Sequence, residues 1–437
     1  MTLVHVFLSL AFAPKADLGW DPTITVSETT EGRVYHFDLE GRKFDTVAVL
    51  SDFAADAIIG RATRAFRVID PVSKIEYALK DVWLDDDREL EHVIYDELLG
   101  DIEKKYGKDV REEAKKFLLT PEVHCKVKVD GQEDHTRKVM MRGREPSLNK
   151  TIHYRIVFKE VATPLYNVMD LRDIFVVLKD CTRLLQLMHG CGWVHRDISC
   201  GNVYYHDGHG RLGDLEYAKE KYSDGKHDVR TGTLDFMSVE VTQSKYLFQP
   251  ELDFDVESES SSDEELIIPH LNFSYNDIHD MESMWWLPIW MMFFHDIKSK
   301  AITDELQRAK RILEIRELFP RNLNTGPRMT FLMNGFSFME SMSCLRVILK
   351  KKYQLFESTL PTLNQTVLDG LYDLIFKTWD LCIVKAKGVA KLVPVDFNPY
   401  GNNISPTTST SKRKAMAAPP LSVVPAPKIS RIGLPNA

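Results

Sequence analysis

The sequence has 437 residues and a formal charge of −8, with 44% hydrophobic, 10% aromatic and 27% charged residues. A chain of this length exceeds what one hydrophobic core usually holds, so at least two lobes are expected. Its composition excludes fibrous and membrane-embedded classes. The acidic balance speaks against nucleic-acid binding, which needs clustered Lys and Arg, so neither a nucleic-acid nor a membrane partner is expected.

The apolar start, MTLVHVFLSLAFAPKA, has signal-peptide length. It lacks a basic n-region, and Pro14 follows its only small-residue site, so it is not read as a secretion signal. Six scattered cysteines without a CxxC pair argue against a zinc ribbon or a disulfide scaffold and fit a reducing, intracellular compartment, cytoplasmic or nuclear. From Arg33 to Leu50 two strands are predicted around Glu40-Gly41, and a second pair through Phe66–Val68 and Tyr77–Lys80. The spacing of Leu90, Val93, Ile94 and Leu98 predicts a helix over Asp85–Leu99 with an acidic first turn.

Residues 100–150 are charged with little period and read as an insertion, with a helix over Val110–Leu119 and a hairpin at Gly131. Arg155–Phe158 reads as a strand. Apolar residues at 174, 177, 178, 181, 184, 185 and 188 predict a long helix over Asp170–His189. Gly208 and Gly210 punctuate a hairpin that ends just before Asp214. Glu251–Glu265 holds eight acidic residues and four serines with no basic residue, the composition of a solvated loop. Met284–Phe294 is too short to span a bilayer and reads as a buried helix. Helical patterns dominate from Asp280 to about Lys387, and residues 393–437 read as a disordered basic tail in which SKRK (411–414) resembles a nuclear-import signal.

The chemistry concentrates in GWVHRDISCGN (192–202). An H-R-D tripeptide alone reads equally well as an aspartate capping a turn. Here Asp197 is followed five residues later by Asn202 and, past the hairpin, by Asp214. A long helix, a loop, a hairpin and an acid in that order place three oxygen-bearing side chains at one edge. One is a carboxylate able to take a hydroxyl proton, and an amide and a second carboxylate suit Mg²⁺. Upstream, Lys80 lies in a predicted strand and Glu91, eleven residues on, in the predicted helix after it. A strand lysine paired with a helix carboxylate can reach nucleotide phosphates.

In order, Tyr77-Ala78-Leu79-Lys80, Glu91, His195-Arg196-Asp197 with Asn202, Asp214-Leu215-Glu216 and the SVE of residues 238–240 resemble the signature set of the eukaryotic protein kinase superfamily. More narrowly, LGWDPTI, GRATRAFRV, LKDVW, WVHRDISCGNV, TGTLDFMSVE and HDMESMWW resemble the fungal-type protein kinase family across most of residues 18–295. The resemblance implies an α+β, bilobal protein kinase-like fold. Residues 1–165 would hold a β-rich N-lobe with one key helix, and residues 166–392 a mainly helical C-lobe. It implies ATP and Mg²⁺ as cofactors, a protein bearing Ser or Thr as substrate, and serine/threonine kinase activity.

Asp197 would be the base, Lys80 the phosphate ligand, Glu91 its orienting partner, and Asn202 and Asp214 the metal ligands. Gly60, Val68, Ala78, Lys80, Glu160 and Ala162 would contact the nucleotide, with 160–162 as the hinge. Thr233 would shape the substrate pocket, and Asp280 would brace the catalytic-loop backbone. Arg196 would read a phosphate on the activation segment, for which Ser223 and Thr231 are candidates. The chain departs from the family pattern at Ala62 and Ala65 in the glycine-rich loop, at Glu216 in place of the glycine of D-F-G, and at Ser199 in place of a lysine. These departures keep open a catalytically weak binding scaffold. A small-molecule phosphotransferase is the third reading, against which Thr233 and Phe236–Glu240 weigh.

Overall fold

The computed structural model describes residues 3–14, 18, 20–30, 32–52, 62–136, 151–221, 232–248, 273–297, 309, 311–315, 338–360, 365–389 and 391–395. Gly60, Ser223, Thr231, the acidic stretch 251–265 and SKRK lie outside these residues, as does the tail beyond residue 395. The apolar start forms a short helix, α1 (Leu3–Phe12), whose Leu3, Val4 and Phe7 are exposed. Among the described residues no helix is long and apolar enough to cross a membrane, and all six cysteines are free.

An antiparallel sheet dominates the first third. Its strands are β1 (Ile24–Thr29), β2 (Gly32–Leu39), β3 (Arg42–Asp52), β4 (Arg64–Ile69), β5 (Glu76–Asp85), β6 (Pro121–Lys126) and, after a small hairpin of β7 (Lys128–Val129) and β8 (Gln132–Glu133), β9 (Thr151–Phe158). The spatial order is β1-β2-β3-β4-β5-β9-β6. The β2–β3 turn at Glu40-Gly41 and the β7–β8 turn at Asp130-Gly131 both take positive φ, as tight hairpin turns matched to strand twist require. Strand β9, between β5 and β6, is buried at every residue.

Side chains alternate between the two faces of this sheet. Tyr77, Leu79, Phe66, Val68 and Val157 pack outward with Phe37, Leu39 and Phe44. On the other face Val82, Leu84, Ile152, Tyr154, Ile156 and Phe158 form a second cluster, with Ala78 and Ala162 beside it. The outer face also holds a buried ionic chain. Asp81 accepts from His153 Nε2 at 2.6 Å and Arg155 Nε at 3.0 Å and pairs with Arg64. Arg155 reaches the N-terminal segment at Asp21 and at Thr23 Oγ1 (2.7 Å), while His153 bonds Asp134 at 3.2 Å and stacks on Trp83. Burial alone would raise the Asp81 carboxyl, but its bond to His153 and the charges of His153, Arg155 and Arg64 hold it far below the usual range.

The helix predicted over Asp85–Leu99 begins later, as α2 (Glu91–Tyr106). Asp85 is still paired with Thr151 in the sheet, and Asp86 and Asp87 lie in the turn that follows. The helix expected over Val110–Leu119 is α3 (Lys108–Lys115). Within 100–136 the stretch read as an insertion is woven into the fold: Ile102, Ala114 and Leu118 join the core of the helical region while the charges face outward, and β6 pairs with β9. Leu119 N bonds Leu212 O at 3.2 Å and Leu212 N bonds Phe117 O at 2.7 Å, so backbone hydrogen bonds stitch the two regions together.

The rest is helical around one large core. Strand β10 (Thr163–Pro164) leads to α4 (Leu171–Gly190), which Asp170 caps through Arg172 N and Asp173 N. All seven apolar positions predicted for its inner face are buried. After β11 (Trp193–Val194), the hairpin β12 (Val203–His206) and β13 (His209–Leu212) turns at Asp207-Gly208 and packs on α4 at Gly210. A Cβ on Gly210 would lie 2.4 Å from Val177 O, so only glycine permits that approach. Strand β14 (Lys219–Glu220) pairs with β11. Helix α5 (Val239–Gln243) precedes α6 (Asp277–Phe294), buried throughout except at its last residue. Strand β15 (His295–Ile297), α7 (Met339–Glu357), α8 (Leu371–Ala386) and β16 (Leu392–Pro394) follow, with a helical stretch at 311–315 that adds Ile315 to the core. The architecture is α+β, with a sheet-rich N-terminal region and a helical C-terminal one.

Candidate active site

The loop after β11 owes its shape to α6. Asn276 caps that helix in a reciprocal box with His279, which sets Asp280 in the first turn. Asp280 is fully buried and accepts four hydrogen bonds: His195 N (2.8 Å), Arg196 N (3.0 Å), Tyr275 OH (2.8 Å) and His189 Nε2 (2.9 Å). Burial would raise its pKa, but the bond and charge of His189 and the contacts with His195 hold it at about 2. With its backbone gripped this way, Arg196 takes a positive φ of 72°.

Asp197 follows, 1% exposed, with both carboxylate oxygens oriented. Oδ1 accepts from Thr233 N at 2.9 Å and Thr233 Oγ1 at 3.1 Å, and Oδ2 accepts from Asn202 Nδ2 at 3.0 Å. Asn202 Nδ2 also bonds Asp197 O at 2.8 Å. Asn202 O accepts from Gly213 N at 3.0 Å, tying the loop to the residue before Asp214. His195 completes the tie: Asp197 N donates to its Nδ1, so its proton sits on Nε2, which donates to Gly213 O at 3.2 Å.

Asp214 adopts a left-handed backbone, φ 62°. Its Oδ1 lies 2.6 Å from Lys80 Nζ, which also bonds Glu91 Oε2 at 2.9 Å. The other oxygen of Glu91 accepts from Asp214 N (3.0 Å) and Leu215 N (3.2 Å). One glutamate on α2 therefore holds both the strand lysine and the chain entering the segment after Asp214. Lys80, Glu91, Asp197, Asn202 and Asp214, spread over 134 residues of sequence, meet at one cleft between sheet and helices. Burial and the nearby charges of Asp214, Glu91 and Asp197 raise the Tyr204 phenol well above its usual range.

Not every expected contact belongs to this cleft. Val68 is fully buried in the outer cluster and pairs with Tyr77, so it faces away from Lys80; Ala65 is the residue opposite Lys80. The expectation for Val68 is therefore corrected, since a displacement of one residue along a strand changes the face. Ala78 and Ala162 do border the inner cluster. The Glu160 side chain accepts from Thr120 N (2.7 Å) and Thr120 Oγ1 (2.9 Å) and pairs with Arg211 at 3.1 Å. Leu215 fills an apolar slot in the helical core, and Glu216 is buried behind it.

Three contributors were not singled out from sequence. His189 and Tyr275 complete the shell of Asp280. Gly232, φ +114°, lies where a Cβ would come within 2.9 Å of Arg196 O; its only sequence signal is a glycine between two threonines. Near the same loop Lys219 is lowered by burial and by the charges of Arg196 and Arg88, so three cations crowd the chain leading to residue 222.

Among solved structures, the ROP18 kinase domain in complex with AMP-PNP and sucrose is similar, at 13% identity and a TM-score of 0.41 over 87% of this chain and 92% of that one. No curated protein is significantly similar in sequence. The family model described as fungal protein kinase matches residues 1–292, a span that holds the sheet, the loop braced by Asp280 and every side chain of the cleft. The chain belongs to the fungal protein kinase family.

Proposed function

We propose that this chain is an ATP- and Mg²⁺-dependent protein kinase that phosphorylates serine or threonine hydroxyls of a protein. The observation that carries this reading is the convergence of Lys80, Glu91 and Asp214 on one side of Gly213 and of Asp197 and Asn202 on the other. The donor set suits a hard cation. Asp214 offers a carboxylate, and because the Nδ2 group of Asn202 is engaged with Asp197, its amide oxygen is the atom that would serve as a ligand. Among the described residues no group of three or more His, Cys, Asp or Glu side chains is placed to hold a metal ion.

Bound Mg²⁺ and ATP would supply the phosphoryl group and neutralise its charge. Lys80, held by Glu91, would grip phosphate oxygens, while Asn202 and Asp214 would hold the metal. Asp197, fixed by Thr233 and Asn202, would orient the acceptor hydroxyl and take its proton. Ala78 and Ala162 would border the base and Glu160–Ala162 would form the hinge. The preference for serine or threonine rests on the resemblance around Thr233, and the cations Arg88, Arg196 and Lys219 suit a phosphate on the segment beyond residue 221.

A second reading, a scaffold of weak or no activity, is favoured by the buried Glu216 two residues after Asp214 and by Ala65 opposite Lys80. Magnesium-dependent thermal stabilisation by ATP, together with label transfer from ATP to a peptide array, separates the two. Transfer should be abolished by Asp197→Asn and by Lys80→Met. Label transfer that survives both changes sinks the assigned roles, whereas nucleotide binding with no acceptor ever labelled favours the scaffold.

A further inference from the structure

Away from the cleft, three glutamates and a histidine meet inside the helical region. Glu240 on α5, His279 and Glu282 on α6 and Glu357 at the end of α7 are all 3% exposed or less. Glu282 is satisfied by Val239 N (3.0 Å), Trp286 Nε1 (3.1 Å) and Tyr353 OH (2.7 Å). Leu247 N donates to Glu240 Oε1 at 2.7 Å and Phe248 N to Glu357 Oε2 at 2.8 Å. Asn276 N donates to His279 Nδ1 at 3.0 Å, so that nitrogen carries no proton and the ring is neutral, donating from Nε2 to Glu240 Oε2 at 3.1 Å. Burial keeps it so, lowering its pKa to about 3.

One atom is left over. Glu357 Oε1 is buried with no hydrogen-bond partner among the described residues, and its carboxyl neighbours that of Glu240, the two being held by the consecutive N–H groups of Phe248 and Leu247. Two ionised carboxylates are acceptors only and repel when buried side by side, so a proton on one of them supplies the donor this orphaned oxygen lacks. Among the described residues, the titratable groups facing the pair are Tyr246 from the loop, His279 and Glu282 from α6 with Asp277 and Asp280 beyond, and Tyr353 from α7; none is a cation.

We propose that Glu240 and Glu357 share one buried proton, carried on Glu357, and that Glu357 is a positioning residue that uses it to fasten residues 238–248 to α7. The fastening reaches the cleft through a short path. Phe236 N and Met237 N bond Thr233 O, and Thr233 holds Asp197. Burial, then the bond and charge of Glu240, push Glu357 up to about 9, and burial pushes Glu240 and Glu282 up to about 7 against their hydrogen bonds. The pair titrates as a unit. With the folded pKa raised, the contribution is complete below the ordinary value of 4.5 and is lost progressively as pH climbs to about 9.

The test needs no catalysis, so it stands or falls separately from the kinase reading. In Glu357→Gln an amide N–H replaces the shared proton while the amide oxygen still accepts from Phe248 N. Hydrogen exchange in the full chain should show Leu247 and Phe248 losing protection by up to about tenfold per pH unit between neutrality and pH ~9, relative to E357Q, which holds level. Glu357→Ala should be poorly protected throughout. Equal slopes in wild type and E357Q, or E357Q as weak as E357A, would overturn the proposal. Infrared spectroscopy of the wild type at neutral pH covers the case in which variants fail to fold: the carbonyl band of a buried protonated carboxyl must be present, and its absence is equally fatal.

Discussion

Replacing Asp280 by Asn removes one charge and almost no volume, and the structure fixes what that should do. His195 N and His189 Nε2 converge on Oδ2, and Arg196 N and Tyr275 OH on Oδ1. An asparagine has one acceptor oxygen and must turn its NH₂ toward one of these pairs. The cheaper choice faces Tyr275, whose hydroxyl can rotate to accept, and leaves Arg196 N without an acceptor. An orphaned buried donor costs about 1–3 kcal/mol. The titration gives a second route to the same loss. A carboxyl held at about 2 against an ordinary 3.8 contributes about 2.5 kcal/mol when fully buried. Because this pKa is depressed, the contribution is present above pH 3.8 and disappears as pH falls through about 2. Urea unfolding at neutral pH should therefore show D280N less stable by about 2–3 kcal/mol, and the variant should lose less than wild type between pH 4 and pH 2. Exchange of the Arg196 and Asp197 amides should rise with it. A change below ~0.5 kcal/mol with the acid limb unaltered would mean that Asp280 does not brace the loop.

Two further changes probe the surroundings. Gly232→Ala puts a methyl 2.9 Å from Arg196 O at φ +114°, so it should displace Thr233 from Asp197 and cut phosphoryl transfer by ~10²-fold while leaving nucleotide binding intact; unchanged transfer would show that Thr233 does not position the base. Arg155→Met removes the cation between Asp81 and Asp21. It should cost about 3 kcal/mol, with residues 20–24 becoming sensitive to limited proteolysis ahead of the rest, and continued resistance there would discount the ionic chain as their anchor.

What could be read from sequence was what local physics decides. Helix α4 declared itself because seven apolar residues share its buried face, and the hairpins did so because Glu-Gly and Asp-Gly pairs take positive φ cheaply. The cleft residues were legible through their order and chemical type, and the structure brings them together. What eluded sequence is long-range. Asp81 and Arg155 look like surface charges until Asp21, 134 residues before Arg155, seals them in. Strand β6 lies beside β9 although a whole hairpin separates them, and Val68 changed sides because a strand's period of two punishes an error of one residue. The start of α2 was placed early because Asp85–Asp87 suit a first helical turn as well as they suit the end of a strand. The glutamate cluster around Glu357 gave no sign, since α5 and α7 are almost a hundred residues apart.

The Glu160 carboxylate, bolted to Thr120 on one side and Arg211 on the other, has a mechanical consequence. Leu119 and Phe117 are bonded to Leu212 as well. Removing this one carboxylate would therefore release Thr120 and Arg211 together, leaving the backbone bonds at Leu212 to carry alone a junction that is now fastened by side chain and main chain in parallel.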